Sequence, residues 1–180
     1  MSLKALTIQQ HQNAERQKFA SILMSGEIPP KFYLRYLVNQ HACYAALEDH
    51  TLFNLPNELL KRSDKIQQDI NELNDTLKLE IDNMLTNSTL DYLSHVETIT
   101  NQDDFHAHVY VRYLGDLRGG QMIAKKIPGA GRYYSFENPN DLAQSIYKVL
   151  HDDMAEEAKL VFDFATRLFI EMYDFMLNNK

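Results

Sequence analysis

The sequence predicts an all-helical bundle, and three observations carry that prediction. Apolar residues recur at helical spacing, as in Val161, Phe164, Leu168, Met172 and Phe175, with charged residues between them. No strand-like alternation competes with that period. Outside one glycine-rich helical stretch, proline and glycine are confined to residues 26–30, 56, 128–131 and 139, where loops between helices are expected. With 180 residues, 44% hydrophobic and 24% charged, the chain is long enough to bury a core as one domain over residues 1–180 without disulfides or a structural metal.

The elements follow in order. A first helix is expected over residues 3–23 and a second over 31–53. A third begins near Pro56 and continues, with a break allowed, to residue 85. Ser88 is placed to cap a helix through residue 98, because a short hydroxyl accepts from the free N–H groups of a first turn. Asp103 or Asp104 opens a helix running to residue 127. Asn138 followed by Pro139 reads as a cap with proline at the first helical position, and Asp152 or Asp153 starts the last helix. This order describes a compact helical bundle.

Charge and composition exclude several classes of function. A formal charge of -7 and the absence of a Lys/Arg run argue against nucleic acid as a partner. The single cysteine, Cys43, excludes a disulfide framework and any paired-cysteine motif, and reads as a buried small hydrophobe. The N-terminus lacks the apolar core of a signal peptide, and no apolar run approaches the ~20 residues that span a bilayer. The last segment, FIEMYDFMLNNK, is apolar on one face only, so it is expected to be a core helix and no anchor. A protein off the membrane, in the cytoplasm or a plastid stroma-like compartment, is expected.

The helix expected from residue 103 contains Gly115, Gly119 and Gly120, three of the six glycines. Each costs roughly 1 kcal/mol relative to alanine in a helix interior. Gly115 and Gly119 lie four apart and share a face, leaving bare backbone against which a flat object can lie. Gly120 lets the helix bend. A close helix–helix contact is the other explanation, but it does not account for Arg112 and Asp116 in the same stretch.

The segment Arg112-Tyr-Leu-Gly-Asp-Leu-Arg-Gly-Gly-Gln121 resembles the distal-helix signature of the haem (heme) oxygenases, RYLGDLSGGQ, departing from it only at Arg118. The resemblance implies haem held between a proximal helix bearing a histidine and this kinked distal helix. It asks for a histidine on the first helix followed four residues later by glutamate, and His11 and Glu15 meet it. Their side chains lie one turn apart, so the carboxylate can orient the imidazole that holds the haem iron. The other histidines offer less. His50, His95 and His106 read as surface or helix-end residues, His151 sits near a helix end, and His41 and His108 are eligible for burial. None pairs with a second histidine and a carboxylate at zinc-like spacing.

Weaker matches extend over most of the chain, with residues 57–101 the least informative. Tyr44, in Cys43-Tyr-Ala-Ala-Leu-Glu48, resembles the family's distal tyrosine. Phe162 and Phe169 resemble aromatics that line the haem pocket, and ordinary core is their other reading. Lys4, Tyr110 and Lys148 match positions that receive the haem propionates, while a further basic position falls on Gln144.

The resemblance implies haem b as substrate and cofactor, O2, and products biliverdin (the IXα isomer), carbon monoxide and ferrous iron. Asp116, supported by Arg112 and Tyr44, is the expected holder of an ordered water chain that delivers the proton. The chain has no flavin or nicotinamide fingerprint, so electrons come from an external ferredoxin or reductase, and a bilin reductase is a fitting downstream partner. Arg118 either faces away, adding positive charge to a donor-docking surface, or enters the pocket and alters the water network. Two alternatives stand beside this reading. One is a non-enzymatic haem carrier or sensor on the same fold. The other is a helical bundle of the same general architecture serving thiamine-related hydrolysis or partner binding, with the glycines as packing contacts; the catalytic cysteine or carboxylate cluster it expects is not found.

Overall fold

The structure is a computed structural model that describes residues 2–180; Met1, where the expected domain begins, lies outside the described residues. Helices make up the architecture and no strand occurs among the described residues. Their boundaries depart from those the periodicity suggests at several points.

The first expected helix is three: α1 (Leu3–Leu6), α2 (Ile8–Glu15) and α3 (Lys18–Ser25). At the first break the buried Thr7 hydroxyl donates to the Leu3 carbonyl at 2.9 Å, and at the second Gln17 adopts extended backbone (φ -66, ψ 143). Neither event disturbs the apolar spacing, so periodicity alone runs through both. Helix α4 (Pro30–Glu48) starts on a proline in its first turn, where a missing N–H costs nothing, and ends at Asp49, short of residue 53. A short 3-10 turn (Glu58–Leu60) precedes α5 (Ser63–Leu77), which stops at Lys78 in the left-handed region (φ 53) well before residue 85.

Thr86, and not Ser88, caps α6 (Asn87–Glu97), its hydroxyl accepting from the Thr89 N–H at 3.3 Å. Ser88 is drawn instead to Glu171 of the last helix. Asn101, ahead of the expected aspartates, caps α7 (Gln102–Val109) by accepting from the Asp104 N–H at 2.9 Å. Asn138 precedes α10 (Pro139–Tyr147) with a left-handed backbone (φ 52) and no side-chain cap bond, while Pro139 takes its place in the first turn. Asp152–Met154 form a 3-10 turn that leads into α11 (Ala155–Asn178).

The long helices α4 and α11 organise the core. Helix α4 packs on α5 and α6, α11 on α2, α3, α6 and α7, and the two also touch each other. Tyr33, Leu34, Leu37, Tyr44 and Leu47 of α4 and Val161, Leu168 and Met172 of α11 are buried in one cluster. Cys43 is buried there too. No helix among the described residues is long and apolar enough to cross a membrane.

Candidate active site

The glycine-rich stretch is not one bent helix. After α7 it passes into a π-helical segment (Tyr110–Leu114), then α8 (Gly115–Leu117), breaks at Arg118 (φ -105, ψ -85) and resumes as α9 (Gly120–Ile123). The expected continuous helix to residue 127, hinged at Gly120, is corrected to this: the widening starts five residues before Gly115 and the break falls at Arg118. A π-helical insertion is rare and marks functional stretches of helix.

The glycines divide by environment. A Cβ added at Gly115 would meet nothing within 4 Å, and one at Gly119 only the Gly115 carbonyl at 3.7 Å. Both face open space, so neither is a helix–helix contact. Gly120 differs, because its Cβ would stand 2.7 Å from Cδ1 and 3.0 Å from Cε1 of Tyr134. Its lack of a side chain serves close packing against that ring.

The open space is a cavity of about 640 Å³, within the ~300–1,000 Å³ of small-molecule and cofactor sites. The structure brings His11, Glu15, Tyr44, Arg112, Gly115, Asp116, Gly119, Gly120, Phe162 and Phe169 onto its lining. Lys4, Tyr110 and Lys148 are not among the lining residues. Lys4 is exposed on α1, Lys148 is exposed at the end of α10, and Tyr110 is half-buried between the two core clusters. Arg118 is exposed, donating to the Tyr147 hydroxyl at 3.3 Å and standing 5.8 Å from the centre of that ring. It faces away from the cavity, the first of its two expected placements.

On α2, His11 Nε2 lies 2.6 Å from Glu15 Oε1, and the imidazole stacks on Phe162 at 5.0 Å. A carboxylate that accepts from one ring nitrogen fixes the tautomer and leaves the lone pair of the other for a metal. His11, on the cavity lining, would therefore have a ring nitrogen free to hold haem iron. The glycine-stripped backbone on the same cavity fits a flat macrocycle.

Asp116 is 8% exposed and collects its donors from distant parts of the chain. The Tyr44 hydroxyl makes a short bond to Oδ2, and the Tyr133 hydroxyl lies 3.2 Å from Oδ1. Burial pushes the carboxyl up to about 7, against the opposing pull of these phenols and of the Arg62 and Arg112 charges. A group poised there exchanges a proton readily at neutral pH. Arg112 is held from behind: its Nε donates to the Tyr92 hydroxyl at 2.9 Å, and its guanidinium sits 4.1 Å from that ring's centre.

Behind Tyr92 the structure assembles a group that no spacing announces. Tyr92 Oη lies 2.5 Å from His108 Nδ1, and the Nε2 atoms of His108 and His95 lie 2.7 and 2.5 Å from Glu157 Oε2. Burial holds the His108 imidazole below its usual range. Glu157 is pushed up by burial, yet the hydrogen bonds from both histidines hold it below the ordinary carboxylate value. No zinc-like spacing in the sequence pairs these three, which come from α6, α7 and α11 and meet only in the fold. Their separations are hydrogen bonds; ligands on a tetrahedral zinc at ~2.0–2.1 Å stand farther apart. His106, read as a surface or helix-end residue, is buried as well.

Sequence reasoning missed Tyr92, His108, Glu157, Tyr133 and Gln40. Each is brought in by tertiary contact, and none carries a local motif.

Comparison with known proteins bears on the whole chain. The family described as heme oxygenase matches residues 1–171. The heme oxygenase of Guillardia theta is 30% identical over 170 residues, covering 88% of this chain and 70% of that protein. That of Porphyra purpurea is 27% identical, covering 77% of this chain and 66% of the other. The solved structure of heme oxygenase from Leptospira interrogans is similar with a TM-score of 0.80 at 25% identity, over 95% of this chain and 100% of that one. Heme oxygenase-1 from the cyanobacterium Synechocystis, solved in complex with heme, gives 0.81 at 20% identity over 98% and 92%, a likeness of fold. With the match running through all but the last helix's end, this chain belongs to the heme oxygenase family.

Proposed function

We propose that the cavity takes haem between His11, as ligand to the iron, and the bare backbone of Gly115 and Gly119, and that the protein opens the macrocycle oxidatively to biliverdin, carbon monoxide and ferrous iron. The observation that carries this reading is the open Cβ space at Gly115 and Gly119 on a cavity that His11 also lines. Haem, once bound, supplies the site for O2 and is itself the molecule oxidised.

The protein's own groups position and supply protons. Glu15 holds the imidazole of His11. The glycine wall keeps bulky side chains off one face and favours attack at a single meso carbon, giving the α isomer. Asp116, with an environment that holds it near 7, passes a proton through water without touching the reacting atom. Tyr44 and Arg112 keep that carboxyl and its surroundings in place. Lys4, Tyr110 and Lys148, which lie off the cavity lining, are the proposed partners of the propionates where these extend beyond it.

Electrons come from outside the chain, from a ferredoxin or a reductase, and the outward-facing Arg118 adds positive charge for such a donor. A bilin reductase consumes the product. A mere haem carrier has no use for a buried carboxyl poised near neutrality beside an open face, so the enzyme reading is favoured. The reading takes residues 1–180 as one domain.

Titration of the purified protein with haemin, followed by ferredoxin and its reductase in air, tests the proposal. A Soret band that forms and then decays as a biliverdin band grows is the expected result. Stable haem binding without turnover under several donors refutes the enzyme, and no Soret shift refutes the site. His11→Ala removes a half-exposed side chain, so it should fold normally and lose the ligand-dependent spectrum.

A further inference from the structure

We infer that Tyr133, seated by Gln40, is a positioning residue for Asp116: together with Tyr44 it holds the two carboxyl oxygens in place through a change of protonation. The inference rests on the reading above, in which Asp116 passes the proton.

Three fully or nearly buried polar side chains converge on this carboxyl, Tyr44 and Gln40 from α4, where both line the cavity, and Tyr133 from the turn at residues 132–134. Tyr133 is 0% exposed, Tyr44 1% and Gln40 6%. Gln40 donates from Nε2 to the Tyr133 oxygen at 2.9 Å, and the Tyr133 hydroxyl reaches Asp116 Oδ1 and the Tyr44 oxygen, each at 3.2 Å. Tyr44 donates to Asp116 Oδ2. A buried phenol needs a partner, but packing alone does not ask for a buried amide directed at that phenol's oxygen.

The array satisfies both states of the acid. When Asp116 is ionised, it is acceptor-only, and each phenol gives its single hydrogen to a different carboxyl oxygen. When Asp116 is protonated on Oδ1, that proton goes to the Tyr133 oxygen, the Tyr133 hydrogen turns to Tyr44, and Tyr44 still donates to Oδ2. The amide of Gln40 remains in place throughout. Only hydroxyl hydrogens rotate, so the carboxyl can gain or lose a proton without moving and without leaving a buried group unpaired.

The turn that carries Tyr133 is anchored well enough for this role. Asp69, 3% exposed on α5, accepts from the N–H groups of Arg132 at 3.0 Å and Tyr133 at 2.8 Å. Arg62 donates to the Tyr133 carbonyl at 3.0 Å and the Ser135 carbonyl at 2.7 Å. The Tyr133 ring stacks on Tyr134 at 4.1 Å. The other groups facing Asp116 are Arg112 and Tyr113 from its own segment, Arg62 ahead of α5, Tyr33 and Tyr36 from α4, and Tyr134 from the turn.

The test begins without haem. Carbon-13 NMR of aspartate-labelled protein follows the Asp116 carboxyl, identified by its loss in Asp116→Asn. Tyr133→Phe removes a charge-assisted bond to the ionised form and a weaker neutral bond from the protonated form, so the titration midpoint should rise by about one pH unit. Gln40→Met should raise it by less, and should add nothing in the Tyr133→Phe background. The haemin complex of Tyr133→Phe should keep its affinity within about threefold, since Tyr133 is not on the cavity lining. The pH profile of biliverdin formation should move with the NMR midpoint. A folded Tyr133→Phe with the wild-type midpoint overturns the inference, as does a full additive shift from Gln40→Met in that background. If the midpoints shift as expected but haemin does not bind the wild-type protein, the positioning stands and the proposed function fails.

Discussion

Replacing Gly115 and Gly120 by alanine, one at a time, separates two uses of glycine that lie five residues apart. Alanine is favoured over glycine in a helix by ~1 kcal/mol. At Gly115 the new methyl meets nothing within 4 Å, so nothing opposes that gain. The protein without ligand should become more stable by about 0.5–1 kcal/mol. At Gly120 the methyl would stand 2.7 Å from Tyr134 Cδ1 and 3.0 Å from Cε1. That ring is 2% exposed and stacked on Tyr133, so it has little room to retreat. Overpacking of this kind costs ~1–3 kcal/mol, leaving a net loss of up to about 2 kcal/mol after the helical gain. Urea denaturation followed by far-UV circular dichroism measures both changes. The same methyl at Gly115 should weaken haemin binding, and Gly115→Leu should do so by at least about tenfold, or ~1.4 kcal/mol, without unfolding the protein. If Gly115→Ala is destabilised as much as Gly120→Ala, Gly115 is a packing contact and the open-wall reading is wrong.

Three further outcomes follow from the same geometry. Burial raises the folded Asp116 carboxyl to about 7, against ~3.9 in the unfolded chain, so between those values the folded state keeps a proton that the unfolded state releases. This group's stabilising contribution is fully present below ~4 and is lost as pH rises to about 7, by up to ~4 kcal/mol. Asp116→Asn should therefore gain stability relative to the parent across that window, and parallel urea profiles would exclude the effect. Asp69→Ala leaves the N–H groups of Arg132 and Tyr133 without their acceptor, for a loss of about 2–4 kcal/mol measured by denaturation; a loss under ~1 kcal/mol would show that the turn is held elsewhere. Arg118→Ser, on the exposed side, should leave stability within about 0.5 kcal/mol and haemin affinity unchanged. A shifted Soret spectrum in that variant would place Arg118 in the pocket.

Much of the fold is legible from local signals, and the failures are local too. Helical periodicity identifies the class because an apolar stripe must face a core whatever packs against it. It runs through Thr7 and Gln17, where backbone breaks leave the stripe intact. It also misplaces caps: Ser88 has the right chemistry for one but is drawn to Glu171, 83 residues away.

What the sequence by itself determined is what neighbouring residues decide together: helices, a stretch weakened by three glycines, and His11 one turn from Glu15. These are short-range relations, set by a rise and a period common to every helix. Only the tertiary structure decided which glycines open on a cavity and which one meets a ring. It alone brought Tyr133 and Gln40 to Asp116, tied Arg112 through Tyr92 to His108 and Glu157, and turned Arg118 outward. Those pairings link elements up to 93 residues apart. Their energy depends on burial and on the direction of a few hydrogen bonds, which become defined only once the helices have packed.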